Sequence, residues 1–327
     1  MTAPTTRLTP GPKPAWLKVP LPAGEVTTRL GRILRERGLH TVCEEARCPN
    51  IGECWAGGTA TFMVLGEVCT RGCRFCAVKT KGRGQPVDAG EPQRVADAAL
   101  AIGLRYVVLT MVDRDDLIDG GAVQVARTVL GLRERCPGLL VETLVGDFRG
   151  RLGDVDTVLG AGPDVFAHNV EVVRRITPVI RDARCRYDTS LAVLAHAKSA
   201  APERLVKSSI MVGIGEEPRE VEETLADLRS AGVDIVTLGQ YLRPTPKHAP
   251  VARWVTPSEF SEYERLGQGL GFLFVASGAL VRSSYHAAEG FVAARLRDGR
   301  PAEPEPPRAN LLPVASLLRG VSLGKLR

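Results

Sequence analysis

The stretch TFMVLGEVCTRGCRFCAV, residues 61–78, joins a short apolar run to a loop that carries three cysteines. The run TFMVLG (61–66) is typical of a buried strand, because it is mainly apolar, contains β-branched residues and ends at a glycine. Cys69, Cys73 and Cys76 follow, with three and then two residues between them. Three thiolates on one tight loop suit three corners of a cubane 4Fe–4S cluster and leave one iron open to a small molecule. Zinc would require a fourth ligand, and no neighbouring cysteine or histidine supplies one, so the spacing favours iron–sulfur over zinc.

The alternation of strand and helix repeats along the chain. Six further apolar runs have the length and composition of buried strands: 106–111, 139–145, 164–169, 206–213, 234–242 and 272–277. Stretches with helical periodicity separate several of them, at 91–103, 121–135 and 217–232. Apolar strands that alternate with amphipathic helices indicate a parallel sheet covered by helices. Because right-handed βα units repeated in this way curl into a barrel, the sequence predicts an α/β fold, a partial (β/α)6 TIM-like barrel.

Composition narrows the class of protein. The chain has 327 residues, 44% of them hydrophobic, and a formal net charge of +6. These values describe a globule with a large core and permit an acidic partner. No strip of basic residues interleaved with aromatic residues is visible, so we expect no nucleic-acid partner. No apolar stretch has the character of a signal peptide or a membrane span, so we expect a cytoplasmic protein with no membrane partner, in which thiols stay reduced.

The cysteines fall mainly into two groups. Six of the eight lie between positions 43 and 76, which in a reducing compartment points to metal rather than to disulfides. Within CEEARCPNIGECW (43–55), Cys43, Cys48 and Cys54 are separated by four and then five residues, unlike the two-residue clips of a zinc knuckle. Cys136 and Cys185 lie apart from both groups, and we expect them to be buried or spare thiols. The spacing of the second triad leaves its fourth ligand open.

The cysteine loop at 66–78 resembles the cluster motif of the radical S-adenosylmethionine superfamily, and the repeated βα units are similar to the partial barrel of that superfamily. The resemblance implies that the amino and carboxylate groups of S-adenosylmethionine chelate the open iron. It also implies that one-electron reduction of this cofactor yields a 5′-deoxyadenosyl radical. Cys69, Cys73 and Cys76 are then catalytic residues as well as metal ligands.

Other residues at the predicted strand ends are candidate contacts of S-adenosylmethionine. Phe75 would shield the cluster from water or pack on a bound ring. Asn169 would hydrogen-bond the cofactor or the substrate, with a purely structural amide as the alternative. In the segment MVGIGEE, Gly213 would let the backbone approach the adenine and Glu216 would orient a hydroxyl, unless the glycine serves only a turn. Leu242 would offer its backbone to the edge of the adenine.

Several further motifs, in the right order, make the chain similar to the lipoyl synthase family over nearly its whole length, from about Thr41 to Ala287. They are VDRDDLIDGGA (112–122), GDFRG (146–150), DVFAHNVE (164–171), MVGIGEE (211–217), GQYLRPT (239–245) and VRSSYHA (281–287). Three positions depart from the usual pattern of the family: Met111, Gly146 and Ala167. None of the three is a proposed iron ligand.

The family resemblance also implies a role for the second triad. Cys43, Cys48 and Cys54 would hold an auxiliary 4Fe–4S cluster whose fourth ligand is a serine of the RSSY segment, Ser284 in preference to Ser283. A serine alkoxide is harder and more easily protonated than a thiolate, so it is a weaker ligand for iron at that corner of the cluster. A weak corner suits a cluster that is taken apart to donate sulfur, and Ser284 is then catalytic as well as a metal ligand.

The activity that the family implies is the radical insertion of two sulfur atoms, at C6 and C8, into an octanoyl chain on a lysine of a lipoyl carrier domain. Such carriers are the acyltransferase subunits of 2-oxo acid dehydrogenases and the H protein of glycine cleavage. The reaction consumes the auxiliary cluster and requires an electron donor, and we expect a monomer.

Two alternative functions remain open from the sequence. One is another radical S-adenosylmethionine enzyme that inserts sulfur, such as a methylthiolating enzyme of RNA, which would be expected to add a nucleic-acid-binding domain. The other is a non-enzymatic iron–sulfur protein, which would need neither an open iron nor a long barrel.

We divide the chain into three predicted parts. Residues 1–58 form an N-terminal extension with the auxiliary cysteine loop, and residues 59–278 form the radical S-adenosylmethionine partial barrel. Residues 279–327 form a C-terminal extension with the serine ligand and a proline-rich tail. The first 25 residues are also rich in proline, and we expect them to wrap around the barrel or to stay loose.

Overall fold

The fold is built on one large sheet in the computed structural model, which describes residues 11–18, 25–45, 48, 50–285, 291 and 295. The strands are β1 (His40–Thr41), β2 (Thr59–Val64), β3 (Val68–Cys69), β4 (Lys79–Thr80), β5 (Tyr106–Met111), β6 (Leu140–Leu144), β7 (Val165–Ala167), β8 (Leu205–Val212), β9 (Ile235–Gln240) and β10 (Phe274–Gly278). The helices are α1 (Glu25–Glu36), α2 (Val42–Glu45), α3 (Ile51–Ala56), α4 (Glu91–Ile102), α5 (Ala122–Arg135), α6 (Leu152–Gly160), α7 (Thr177–Ile180), α8 (Tyr187–Ala200), α9 (Pro218–Ser230) and α10 (Pro257–Gly269).

The large sheet has eight strands in the order β1-β2-β5-β6-β7-β8-β9-β10. Neighbouring strands are parallel except for β1 and β2, which are antiparallel, with His40 opposite Met63. Among the described residues β10 pairs with β9 and with no strand at the other end, so the sheet does not close. The predicted partial barrel is therefore confirmed, and each of the seven predicted strands lies within two residues of its expected limits.

The two faces of the sheet pack against different partners, because alternate residues of a strand point to opposite sides. On the outer side, Phe62 and Leu109 are fully buried in the main core with Val95 of α4 and Val129 of α5. On the other side, buried residues from several strands form a second apolar cluster: Tyr106, Val108, Val165, Leu205, Ile235 and Phe291. The sheet is thus buried on both faces, as expected of parallel strands.

A buried polar group links three strands of the barrel. Lys207 Nζ on β8 donates to both oxygens of Glu142 on β6, at 2.9 and 3.0 Å, and the Tyr106 hydroxyl on β5 donates to Glu142 Oε2 at 2.9 Å. All three side chains are buried. Because the carboxylate is matched by a cation and a hydroxyl, its burial is tolerated, and the group holds β5, β6 and β8 in one register.

Capping residues fix where the helices begin after strands β8 and β9. The Glu217 N–H donates to the Glu220 carboxylate at 2.8 Å at the start of α9. The Glu259 N–H donates to Thr256 Oγ1 at 3.3 Å at the start of α10. Both helices have proline in their first turn, where its fixed φ is favourable. These capping boxes end the two loops that follow β8 and β9 and keep them at the carboxyl edge of the sheet.

Part of the predicted N-terminal arm contacts the barrel. A 3-10 turn at Ala15–Leu17 buries Leu17, and Trp254 Nε1 donates to the Gly11 carbonyl at 2.9 Å. Residues 1–10 and 19–24 of the arm, and the tail from Gly299, lie outside the described residues. Within the described ranges, no helix combines the length and the hydropathy needed to cross a bilayer.

Candidate metal centres

The loop that carries Cys69, Cys73 and Cys76 is attached by its backbone to three other loops. The Thr70 N–H donates to the carbonyl of Asp113, after β5, at 2.9 Å. The Arg74 N–H donates to the carbonyl of Ile180, in the connection after β7, at 2.7 Å. The Ala249 N–H, after β9, donates to the carbonyl of Arg74 at 2.8 Å. The three cysteines are therefore held at the carboxyl edge of the sheet, where the sequence places them.

Each sulfur of this triad has a backbone N–H directed at it. The donors are Arg71 N to Cys69 Sγ at 3.4 Å, Asp182 N to Cys73 Sγ at 3.3 Å, and the Val78 amide to Cys76. Such donors stabilise the anionic form of sulfur and are a usual accompaniment of iron–sulfur ligation. The residues present therefore fit a thiolate-bound cluster.

Burial keeps these thiols protonated when no metal is bound. It raises the pKa of Cys69 to about 12, with the neighbouring Asp113 carboxylate adding to the shift. Burial also raises the pKa of Cys76, and the carboxylates of Glu171 and Asp113 act in the same direction. Since only thiolates bind metal, occupation of the site releases these protons.

Arg71, inside the loop, joins the acidic ends of two strands. Its guanidinium lies 2.8 Å from Asp115, 2.8 Å from Asp147 and 3.6 Å from Asp113, and its side chain is 1% exposed. Burial raises the pKa of Asp113 to about 6, although Arg71 opposes the shift. Burial is the largest single influence on Asp147 and would raise its pKa, but the hydrogen bond and the charge of Arg71, together with smaller contributions from His168 and the Arg149 N–H, lower the pKa overall. The charged motif after β5 is thus an ion-pair network around the cysteine loop.

Cys185 is a functional neighbour that the sequence did not reveal. It is buried, as expected, and Arg71 Nη1 donates to its sulfur at 3.4 Å. A hydrogen bond between Cys185 and Cys73, together with burial, raises the pKa of Cys73. A fourth thiol therefore adjoins the first triad, from a part of the chain with no spacing pattern to link it. Cys136 is remote from this loop, and its thiol points to the Ala96 carbonyl at 3.7 Å.

Backbone strain is concentrated at the same edge. The non-glycine residues with left-handed φ in the described ranges are Leu65, Phe148, Arg149 and Glu171, at φ of 70°, 46°, 56° and 67°. They follow strands β2, β6 and β7, on the side that carries the cysteine loop. Each such residue costs of order 1–3 kcal/mol, and such residues often mark functional sites. This signal, invisible in sequence, identifies Glu171 as a further candidate.

The residues around Glu171 divide into structural and candidate binding groups. Asn169 Nδ2 donates to Glu171 Oε1 at 3.2 Å. The amide that the sequence predicts to bind cofactor or substrate therefore orients the carboxylate of Glu171, the residue with the strained backbone. His168 is instead a structural residue: its Nδ1 faces the Val145 carbonyl at 2.8 Å and its Nε2 faces Ser190 Oγ at 2.9 Å. Burial lowers the pKa of His168 to about 4, so the ring is neutral near pH 7.

The segment after β8 is shaped by its own glycines. Gly213 has φ +86°, and a Cβ there would lie 2.1 Å from Gln240 Nε2 and 2.6 Å from the Arg253 carbonyl. Glu216 accepts the N–H of Gly213 at 2.6 Å, and it also accepts the next two backbone N–H groups, at 3.0 and 3.1 Å. Its carboxylate therefore folds this loop. Leu242 is half-buried just beyond β9, beside this loop, because β8 and β9 are neighbours.

The second triad lies in a pocket between the two ends of the open sheet. On one side are Cys43, Cys48, Asn50, Ile51 and Cys54, with Thr59 and Thr61 of β2. On the other are Arg282, Ser284 and Tyr285, from the segment after β10. The structure thus brings Ser284 to the three cysteines, whereas Ser283 is not among the residues that line the pocket. Phe75, the remaining predicted site residue, is half-buried against the main core beside the first triad.

A buried donor, the indole of Trp55, lies beside Cys43 of the auxiliary pocket. Burial raises the pKa of Cys43 to about 11, and hydrogen bonds from Thr61 and Trp55 oppose this shift. The indole N–H of Trp55 is buried, and its approach to the Cys43 sulfur falls short of normal hydrogen-bond geometry. A thiolate or a cluster sulfide beside Cys43 would satisfy that N–H, so the donor set fits an iron–sulfur cluster.

A single metal ion and a cubane make different demands on their ligands. In the part of the chain that the structure describes, no three His, Cys, Asp or Glu side chains converge closely enough to bind one metal ion. The ligands of a cubane each bind a different iron and so do not need to meet at one point.

Comparison with known proteins shows the family to which this chain is similar. The family model of the Radical SAM superfamily matches residues 63–228, and the model of the N-terminal domain of lipoyl synthase of the Radical SAM family matches residues 7–48. The lipoyl synthase of Sorangium cellulosum is 59% identical over 312 residues, which cover 91% of this chain and 84% of the relative. That of Thermus thermophilus is 57% identical over 285 residues, 87% of this chain and 88% of the relative. The mitochondrial lipoyl synthase of Drosophila ananassae is 53% identical over 290 residues, 87% of this chain and 77% of the relative.

Similarity to solved structures supports the fold of the chain and no further property. Methylornithine synthase superposes with a TM-score of 0.54 at 15% identity, over 90% of this chain and 91% of that chain. The FeFe-hydrogenase maturase HydG from Carboxydothermus hydrogenoformans gives the same TM-score at 11% identity, over 83% of this chain and 74% of that chain.

Proposed function

The chain belongs to the lipoyl synthase family of radical S-adenosylmethionine enzymes, and we propose that it inserts sulfur at C6 and C8 of an octanoyl chain held on a carrier lysine. One observation carries the proposal. Cys43, Cys48, Cys54 and Ser284 come from opposite ends of the chain and line one pocket. Radical generation needs only the first triad, whereas sulfur insertion also needs a sulfur source, and a second ligand set meets that need.

We assign each triad one 4Fe–4S cluster. The proposed ligands are Cys69, Cys73 and Cys76 for the radical cluster, and Cys43, Cys48, Cys54 and Ser284 for the auxiliary cluster. When bound, the two clusters and S-adenosylmethionine supply a 5′-deoxyadenosyl radical and sulfide. The protein stabilises the charge of the bound thiolates by the backbone N–H groups at the first triad and by the indole of Trp55 at the second.

Half-buried carboxylates beside the first triad support a site for a cationic cofactor. Asp113 acts electrostatically on Cys69 and Cys76, and Glu171 acts on Cys76. S-Adenosylmethionine carries a sulfonium cation, which such carboxylates would attract strongly in a poorly solvated site. We assign five further residues to its contacts, with Glu216 acting through the shape of its loop: Phe75, Asn169, Gly213, Glu216 and Leu242.

Ser284 is the proposed ligand that makes the auxiliary site suitable for sulfur donation. A thiolate binds iron strongly, whereas a serine alkoxide is readily protonated and leaves. We propose that protonation of Ser284 Oγ frees one corner of the site, while the three cysteines keep the remainder in place. An electron carrier would have no use for such a corner.

The saturated alkyl chain of the substrate explains why both sites must lie in one barrel. No acid–base side chain can remove a proton from an unactivated carbon, so radical chemistry is required. The protein has to hold C6 and then C8 within reach of both triads and exclude water. We propose that the alkyl chain enters beside the auxiliary pocket, between β2 and the segment after β10.

Several assignments extend the proposal beyond the catalytic pockets. We propose octanoylated carrier domains of 2-oxo acid dehydrogenases and of the glycine cleavage H protein as partners, a separate protein as electron donor, and a monomeric enzyme. We retain the three parts 1–58, 59–278 and 279–327. A cytoplasmic location is consistent with eight free cysteines, all in the described ranges.

The test uses protein reconstituted anaerobically with iron and sulfide, then incubated with reductant, S-adenosylmethionine and an octanoyl-lysine peptide. The native protein is expected to add sulfur to the peptide and to form 5′-deoxyadenosine. Cys54→Ala is expected to form 5′-deoxyadenosine without a sulfur-containing product. Cys76→Ala is expected to form neither, because it damages the radical site.

The two variants serve as controls for each other. A native protein that cleaves S-adenosylmethionine but gives the peptide no mass increase from sulfur would contradict the proposed reaction. Loss of 5′-deoxyadenosine in Cys54→Ala would contradict the separate roles of the two triads.

A further inference from the structure

Strand β9 has, next to its carboxyl end, a glycine on which another segment rests. Gly239 is paired with Met211 of β8 and Gly278 of β10. A Cβ at this position would lie 2.1 Å from the Val281 carbonyl oxygen and 3.1 Å from the carbonyl carbon. Real Cβ atoms essentially never approach another heavy atom this closely, and the obstructing atoms belong to backbone, so no side-chain rotation relieves the overlap. The missing side chain of Gly239 is therefore the space that the Val281 carbonyl occupies.

The segment that crosses Gly239 carries Ser284, and we call residues 278–285 the serine clasp. Two successive turns shape it: the Val281 N–H donates to the Gly278 carbonyl at 3.0 Å, and the Tyr285 N–H donates to the Arg282 carbonyl at 3.0 Å. Ser284 lies in the second turn, three residues after the carbonyl that rests on Gly239. A displacement of that carbonyl is therefore passed to the serine through a short, hydrogen-bonded stretch of backbone.

The clasp is tied to both walls of the auxiliary pocket. On the cysteine side, Asn50 Nδ2 donates to the Leu280 carbonyl at 2.7 Å, and Asn50 is buried. On the barrel side, Arg282 Nη1 donates to the Gln240 carbonyl at 3.4 Å. The serine is thus suspended between β9 and the loop of Cys48 and Cys54.

We propose that Gly239 is a positioning residue for the auxiliary site: its missing side chain lets the serine clasp lie low enough on β9 for Ser284 to reach the three cysteines. The inference rests on the proposed function of that pocket. With a methyl group at 239, the Val281 carbonyl oxygen has to retreat from 2.1 Å to at least 3.4 Å, by about 1.3 Å or more, to restore ordinary van der Waals contact. Metal–ligand distances tolerate only about 0.2 Å, so a shift of this size removes the serine from coordination.

The experiment compares Gly239→Ala with Gly153→Ala, a matched control in α6 where a Cβ meets no atom within 4 Å. Each protein is reconstituted anaerobically, and iron, acid-labile sulfide and the paramagnetic resonance of the oxidised sample are measured. Native protein and the control are expected to hold about eight irons. With S-adenosylmethionine added to occupy the open iron of the first cluster, Gly239→Ala is expected to lose about one of them and to show the signal of a three-iron cluster, because no ligand then replaces Ser284 at the auxiliary site.

Activity gives a second readout that separates the two sites. Gly239→Ala is expected to form 5′-deoxyadenosine at the native rate, while sulfur insertion falls by about 100-fold, as for other displacements of about 1 Å in an active site. Asn50→Ala releases the clasp from its other wall without adding volume, so it is expected to show the same three-iron signal. If Gly239→Ala does not fold, Asn50→Ala provides the test of the proposal.

The outcomes separate this inference from the proposed function. Native protein with only four irons would contradict the proposed function itself. Native protein with eight irons, together with Gly239→Ala that also keeps eight and inserts sulfur normally, would overturn the positioning role and leave the proposed function intact. Equal loss of both clusters in Gly239→Ala and Asn50→Ala, in proteins that remain folded, would likewise overturn it, because a general weakening of the fold would then explain the result.

Discussion

At the scale of single residues, Ser284 is the one proposed iron ligand of the chain that is not a thiol, and this difference is testable. We predict that Ser284→Cys keeps about eight irons per chain, because a fourth thiolate holds the auxiliary cluster firmly. Sulfur insertion is expected to slow by about tenfold or more, corresponding to at least about 1.4 kcal/mol of added barrier. The measurement is a single-turnover assay of product mass beside an iron determination.

Ser283→Cys is the matched control for that prediction, since Ser283 is adjacent but is not among the residues that line the pocket. It is expected to insert sulfur within about threefold of the native rate. If Ser283→Cys slowed the reaction and Ser284→Cys did not, the assignment of the ligand would pass to Ser283.

A second residue-scale prediction concerns His168, which is buried and neutral with its pKa lowered to about 4. In the unfolded chain its pKa is near 6.5, so between pH 6.5 and about 4 the unfolded state binds a proton that the folded state does not. The contribution of neutral His168 to the free energy of unfolding is therefore fully present above pH 6.5. It falls as the pH falls through this window, by about 3 kcal/mol in total.

Urea denaturation of metal-free protein at several pH values measures that loss. His168→Gln, which cannot titrate, is expected to lack this part of the pH dependence, although it starts from a lower stability at pH 7. Parallel stability curves for the native protein and His168→Gln across the window would contradict the assignment of a neutral, buried imidazole.

At the scale of elements, the ends of β5 and β6 hold the first cysteine loop through Arg71. Removal of this cation leaves the buried carboxylate of Asp147 and the half-buried carboxylate of Asp113 without their partner. We predict that Arg71→Met lowers the free energy of unfolding of metal-free protein by about 3–5 kcal/mol, as expected when one partner of a buried ion pair is removed. Urea denaturation near pH 7 measures the change.

An exposed ion pair provides the control for the Arg71 prediction. Arg219 lies 3.0 Å from Glu223 on α9, and its side chain is 86% exposed. Arg219→Met is expected to change the free energy of unfolding by less than about 0.5 kcal/mol. Similar losses in the two variants would contradict the view that the charges around the cysteine loop are effectively buried.

The strands show how much of the fold could be predicted from the sequence. Long apolar runs located the parallel strands to within two residues, because both faces of such strands are buried and the hydrophobic signal is continuous. The two-residue strands β1, β3 and β4 were missed, since a pair of residues has no periodicity and is a strand only because of its partner.

The candidate site was predictable to a different extent at each triad. The first triad follows from local spacing alone, whereas nothing local links Cys48 to Ser284, and only the family resemblance implied their meeting. The contact of Cys185 with Cys73, the strain at Glu171 and the space at Gly239 are products of packing between distant segments. No pattern in the sequence encodes such packing, so none of the three was foreseen.

At the scale of the whole molecule, the net positive charge predicts that association with an acidic carrier domain depends on salt. The net charge is +6, and exposed Lys81, Arg83 and Arg149 lie in loops at the edge that carries the first triad. For an acidic carrier domain, we predict that KM rises about tenfold as salt increases from about 50 to about 500 mM, because the ions screen the encounter. A short neutral octanoyl-lysine peptide is the control and is expected to change by less than about twofold. Equal salt dependence for carrier and peptide would contradict electrostatic docking.

The proposed reaction requires one chain to hold two independent clusters, and metal content after anaerobic reconstitution tests this requirement most directly. We predict about eight irons and eight acid-labile sulfides in the native protein, and about four of each in either triple variant, with Cys43, Cys48 and Cys54 or with Cys69, Cys73 and Cys76 replaced by alanine. Four irons in the native protein, zinc in place of iron, or loss of all iron from either triple variant would contradict it.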